Sequence, residues 1–108
     1  FTLSRTPEPA FDALTDGRWR SNRDHAAVLH RNAVAADWRG TGMADHLMQA
    51  AEQRARESGA HAIRVDTHRH NGEQKNLLER HGYRFCGNIL CDDPGHDPRR
   101  QAFEKLLK

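Results

Sequence analysis

The stretch "DWRGTGMADHLM", residues 37–48, decides how this chain is read. Arg39 leads into Gly40 and Gly42, and an amphipathic pattern begins at once. Glycine at the mouth of a helix does one of two things. It lets a strand turn sharply into the helix, or it leaves backbone N–H groups bare for an anion. The first amides of a helix lack intrahelical acceptors, and the helix dipole adds positive potential there. Gly40, Gly42 and the small Ala44 remove side chains that would obstruct a phosphate, and Arg39 adds charge. The spacing lacks the P-loop lysine and matches no dinucleotide fingerprint. Alone, the stretch leaves both readings open.

Downstream, Met43, Leu47, Met48, Ala51 and Ala55 recur every three to four residues as one helix face. Glu52, Gln53, Arg54, Arg56 and Glu57 cover the other, and Gly59 sits where a left-handed residue ends a helix. Upstream, "AAVLHRNAVA" (26–35) is an apolar run of strand length. "HAIRVDTH" (61–68) alternates Ile63, Val65 and Thr67 against Arg64 and Asp66, a second strand. Strand, helix and strand at this spacing imply a right-handed crossover and a parallel pair. After a break at Asn71 and Gly72, "EQKNLLERHG" (73–82) predicts a short helix with Leu77 and Leu78 inward and Gly82 as its stop. "YRFCGNILC" (83–91) predicts a third strand anchored by Tyr83, Phe85 and Ile89. The turn-rich "DDPGHDPRR" (92–100) leads to "QAFEKLLK" (101–108), read as a strand that closes an antiparallel hairpin. At the front, "FTLS" matches the end of a strand. Residues 5–25 read mostly as loop, with one helical turn held by Phe11 and Leu14 and pinned by Trp19.

The 108 residues suit one domain, and 36% hydrophobic against 30% charged residues leaves a thin core. A formal charge of +2, with arginines spread along the chain, argues against a nucleic-acid surface. No apolar run approaches the ~20 residues of a membrane span, and no secretory segment is present. Cys86 and Cys91 read as reduced thiols of a cytoplasmic protein.

From His30 to Gly87 the sequence resembles the GNAT superfamily of acyl-CoA N-acyltransferases. That family carries a strand, an Arg/Gln-x-x-Gly-x-Gly/Ala loop and a helix, here Arg39-Gly40-Thr41-Gly42-Met43-Ala44. A second strand follows, then an Asn opening a helix that ends in Gly-aromatic, here Asn71 and Gly82-Tyr83. The resemblance implies an α+β fold: a mixed sheet with a parallel strand pair, two flanking helices and a C-terminal hairpin. It implies one partial domain over 1–108, with 26–108 as the coenzyme A-binding core and the family's front half missing. It also implies acetyl-CoA as cosubstrate and a small-molecule or peptide amine as acceptor. The backbone of Arg39, Gly40, Thr41, Gly42, Met43 and Ala44 would grip the pyrophosphate. The pantetheine arm would lie between splayed strands 28–35 and 62–67, pairing near Ala33 and Val34. Val34 N–H would polarise the thioester carbonyl, and Asn71 would reach the cofactor from the second helix.

Attack by an amine of pKa about 10.4 calls for a base. His30, Asp66 and His68 are the candidates, and His30 is preferred because its strand flanks the implied thioester. Many family members carry a tyrosine acid where this chain has Leu78, and Tyr83 reads as core. "THRH" lacks companion ligands for a metal, so none is expected. The rival readings are a non-catalytic module that keeps the fold and binds CoA or a protein, and an interaction fragment with no ligand. The first strand's outer edge is expected to be covered by a second copy, as in a homodimer, or by the missing segment.

Overall fold

A computed structural model describes residues 2–30, 42–68, 72–90 and 99–107. The elements are β1 (Thr2–Ser4), β2 (Ala26–His30), α1 (Met43–Glu57), β3 (Ala62–His68), α2 (Gly72–Arg80), β4 (Arg84–Leu90) and β5 (Arg99–Leu106). Two 3₁₀ turns, Pro9–Ala13 and Arg23–His25, interrupt the link between β1 and β2. The five strands form one mixed sheet in the order β1-β2-β3-β5-β4. β2 and β3 are parallel and the other pairs are antiparallel. This is the expected α+β arrangement, with the parallel pair, two helices and the closing hairpin.

The expected apolar faces are the ones that become buried. On α1, Met48, Ala51 and Ala55 are buried, and on α2, Leu77 and Leu78. They pack with Ala27, Leu29, Ile63, Val65 and Phe103 on one face of the sheet. Small alanines bring α1 close to the strands, and Lys105 on β5 ties the helix down through Glu52 at 2.8 Å. The opposite face is covered by the segment before β2. Phe11 packs on Val28, Ile89 and Ala102, and Leu14 and Trp19 add to this second cluster. The rings of Trp19 and Phe11 meet at 5.1 Å, and Trp19 Nε1 donates to the Phe11 carbonyl at 2.8 Å. Burial on both faces explains why β2 reads as an apolar run rather than an alternation.

Two expectations are corrected. Phe85 is not a buried anchor: it is 47% exposed and meets Phe103 edge-on. Arg64, which alternates with Ile63 and Val65 as expected, is only 4% exposed, beneath residues 19–21. Residues 5–25 are more than a loop, because Thr15 pairs with Asn88 and closes part of the outer edge of β4. At that crossing the backbones touch. A Cβ on Gly17 would lie 1.9 Å from the Cys86 carbonyl oxygen, and one on Gly87 would lie 2.5 Å from that of Thr15. Gly87 also marks the register shift between β4 and β5. The part of the first strand expected at 31–35, residue Cys91 and most of the 92–100 connection lie outside the described residues. No helix among the described residues is long and apolar enough to cross a membrane.

Candidate active site

The site is built where β2 and β3 part. Their pairing runs Ala26↔Ala62, Ala27↔Ile63 and Val28↔Arg64 and extends no further among the described residues, although β2 continues to His30 and β3 to His68. Beyond that point β2 stays with β1 through Leu3↔Leu29 and Thr2↔His30. β3 stays with β5 through Asp66↔Ala102, Thr67↔Gln101 and His68↔Arg100. The sheet therefore opens along a seam at the carboxyl ends of its two parallel strands. In open α/β sheets this end receives ligands.

Both helices begin at that end, because each follows a parallel strand and runs back along the sheet. Gly42 caps α1 in a left-handed conformation, φ +83°. Its carbonyl accepts from His46 N at 3.1 Å, which starts the helical ladder. Among the described residues, a Cβ at Gly42 would meet nothing within 4 Å. The left-handed φ favours glycine at the start of the helix, and no described side chain obstructs its first turn. Met43 and Ala44 stand in the first turn.

Asp45 in that turn would repel an anion, and it is matched. Arg80 Nη2 donates to Asp45 Oδ1 at 2.9 Å and His81 Nε2 lies 2.7 Å from the same oxygen. The His81 contact, then the Arg80 contact, holds the Asp45 carboxyl below its usual range. Sequence reasoning missed this pair. The last turn of α2 is polar and close to a glycine stop, and its sequence gives no sign that it reaches α1.

At the open end, on the face away from the helices, stand His30 and Asp66. His30 is exposed at the end of β2. Asp66 is part-buried and pairs with Arg100 Nη1 at 3.4 Å. Burial raises its carboxyl above the ordinary range, while the charges of Arg100 and His30 pull it back in part. Folding therefore favours the proton on Asp66. Between pH 3.8 and the raised value the folded state binds more protons than the unfolded chain, so stability falls as pH rises through that window. Asp66→Asn, fixed in the neutral form, should match the parent below pH 3.8 and melt at a higher temperature above the window. Melts across that range check it, and a gap that does not change with pH would count against the assignment.

Leu78, at the expected acid position, is fully buried in the helix-side core, and Tyr83 is buried beside it. Neither reaches the seam as a proton donor. Cys86 is a buried thiol, and burial, then Glu104, pushes its pKa up, against nucleophilic use. No group of three or more metal-ligating side chains occurs among the described residues. Of the expected site residues, the structure brings His30, Gly42, Met43 and Ala44 to one end of the sheet. Ala33, Val34, Arg39, Gly40, Thr41 and Asn71 lie outside the described residues.

Comparison with known proteins agrees with this architecture. A GNAT-family acetyltransferase from Streptococcus agalactiae superposes with a TM-score of 0.78 at 26% identity, over 94% of this chain and 54% of that one. Nourseothricin acetyltransferase gives 0.72 at 24% identity, over 82% and 54%. The ribosomal-protein-alanine N-acetyltransferase of Brucella melitensis gives 0.67 at 24%, over 77% and 52%. The chain thus spans about half the length of these structures. No curated relative matches in sequence. The sequence pattern of the Acetyltransferase (GNAT) family matches residues 12–83, well over half of the chain, and the chain belongs to that family.

Proposed function

We propose that the chain carries the cofactor-binding core of an N-acetyltransferase that moves an acetyl group from acetyl-CoA to a primary amine by direct attack in a ternary complex. The observation that carries this reading is the seam beyond Val28↔Arg64, opening beside the left-handed Gly42 at the start of α1. Acetyl-CoA, when bound, supplies the acetyl group as an activated thioester. The residues fit it by chemistry: unobstructed backbone donors at a helix start suit a pyrophosphate, and parted strands offer main-chain groups to a pantetheine amide.

On this reading the amides of residues 39–44 hold the pyrophosphate, with Arg39 at the mouth, and Asn71 contacts the cofactor from the start of α2. Ala33 and Val34 pair with the pantetheine arm. The Val34 N–H would polarise the thioester carbonyl, where negative charge grows in the transition state. One such donor contributes about 2.7–4 kcal/mol. His30 takes the proton from the attacking amine. Asp66, whose carboxyl feels the charge of His30, steadies the imidazolium as it forms. With Leu78 and Tyr83 in the core, the thiolate would leave without a tyrosine acid on α2, or another group would serve.

Calorimetry with acetyl-CoA tests the binding. Gly42→Val should weaken it by at least about tenfold, equivalent to 1.4 kcal/mol, because a β-branched side chain disfavours φ +83°. An unchanged affinity would remove the loop from the pyrophosphate site. A binding-only role has one specific observation behind it, the buried Leu78 where a tyrosine acid is usual. Acetyl-CoA binding without turnover across a broad amine panel would select that role.

A further inference from the structure

On the face of the sheet opposite the helices, a cavity of about 440 Å³ lies between the Pro9–Ala13 turn and residues 17–22. Its walls are Phe11, Leu14 and Trp19, its rim carries Asp12 and Arg18, and Arg64 also lines it. It is an open groove rather than an enclosed cavity, with a volume in the small-molecule range. Arg64 is 4% exposed, and most of its guanidinium is already engaged. Nε donates to Glu104 Oε2 at 3.3 Å and to Ser21 Oγ at 3.2 Å, and Nη2 donates to the Ser21 carbonyl at 2.5 Å. Trp19 lies 4.5 Å from the guanidinium carbon and covers one of its faces. Nη1 has no acceptor among the described residues.

The partner carboxylate is likewise committed. Glu104 accepts from Arg20 N at 2.8 Å and from the Ser21 hydroxyl as well as from Arg64. The ion pair is therefore locked, and Nη1 is left as a charged donor on the open groove that Phe11 and Trp19 also line. A buried guanidinium N–H gains most from an oxyanion, because a charge-assisted bond is about twice as strong as a neutral one. The remaining walls suit a flat or aliphatic body.

We propose that this groove binds a small carboxylate with an apolar body, the carboxylate on Arg64 Nη1 and the body against Phe11 and Trp19. The site uses the Arg64 side chain on the face opposite the helices, and it stands whether or not the chain transfers acetyl groups.

The probes are 3-phenylpropanoate and its neutral amide, titrated against the whole chain carrying Trp38→Phe, so that fluorescence reports Trp19. The acid should change the emission saturably, and the amide should bind at least about tenfold more weakly. Arg64→Lys, which keeps the charge beside Glu104 but removes Nη1, should weaken the acid at least about tenfold. Leu14→Phe, which fills the groove and leaves Arg64 intact, should do the same, and it decides the matter if the lysine variant does not fold. Equal binding of acid and amide, no saturable change, or full affinity in the folded variants would overturn the proposal.

Discussion

Glu104→Ala should cost this protein about 3–5 kcal/mol, the range for breaking a buried ion pair from one side. Glu104 is 3% exposed and Arg64 4%, so the arginine would keep its charge in a place that water barely reaches. The loss spreads further, because Arg20 N and the Ser21 hydroxyl also donate to Glu104. Residues 19–21 would lose their hold on the sheet together with the ion pair. Native domains have only about 5–15 kcal/mol in hand, and each kcal/mol is worth roughly 4–8 °C in a domain of this size. A fall in Tm of more than about 10 °C is the expected result in thermal melts followed by circular dichroism. Replacing both partners, Arg64→Met with Glu104→Leu, should recover the part due to the unmatched charge, but not the part due to the lost hydrogen bonds of Arg20 N and Ser21. If the single variant melts like the parent, the pair is hydrated and the burial argument is wrong.

Gly17→Val should be nearly as damaging for a purely steric reason. A Cβ at position 17 would sit 1.9 Å from the carbonyl oxygen of Cys86 and 2.8 Å from its carbon. Both are backbone atoms of an inner stretch of β4, so no side chain can swing aside. Residues 14–17 must lift instead, which breaks the two backbone hydrogen bonds between Thr15 and Asn88 and unseats Trp19. The cost should reach or exceed the upper end of the roughly 1–3 kcal/mol typical of overpacking. Denaturant unfolding of Gly17→Val against Gly59→Val separates this from strain alone. Gly59 is left-handed at φ +81°, yet a Cβ there meets nothing within 4 Å. Position 17 should lose more, and equal losses would mean that the crossing is loose.

The parts legible in the sequence were those with a local cause. Periodicity gave α1 its buried face of Met48, Ala51 and Ala55, and the glycines at 42, 59 and 82 fell where the helices start or stop. The apolar run before α1 and the alternation after it gave the parallel pair. What stayed hidden was set by contacts between distant residues. Nothing near Arg64 announces that Ser21 and Glu104, 43 and 40 residues away, enclose it. The alternation placed Arg64 on the face opposite Ile63 but gave no sign that part of residues 5–25 covers it there. Phe85 shows the converse, an aromatic residue on an edge strand with little packed over it. For the site, spacing and family resemblance led to Gly42 and His30. The Asp45 contacts with Arg80 and His81 depend on how α2 lies against α1, which no short motif encodes.

The strand order carries a consequence for how such a chain comes together. β5 is the last strand in sequence, yet it lies between β3 and β4 and pairs with both along nearly its whole length. Until it is synthesised, β4 has no strand that joins it to β3, and the Arg64 guanidinium lacks the carboxylate of Glu104. Synthesis from the N-terminus thus delivers β3 and β4 before the strand that joins them, and non-local pairing of this kind is slow to form. The segment from residue 99 to 106 is then the keystone that ties β4 to the rest of the sheet.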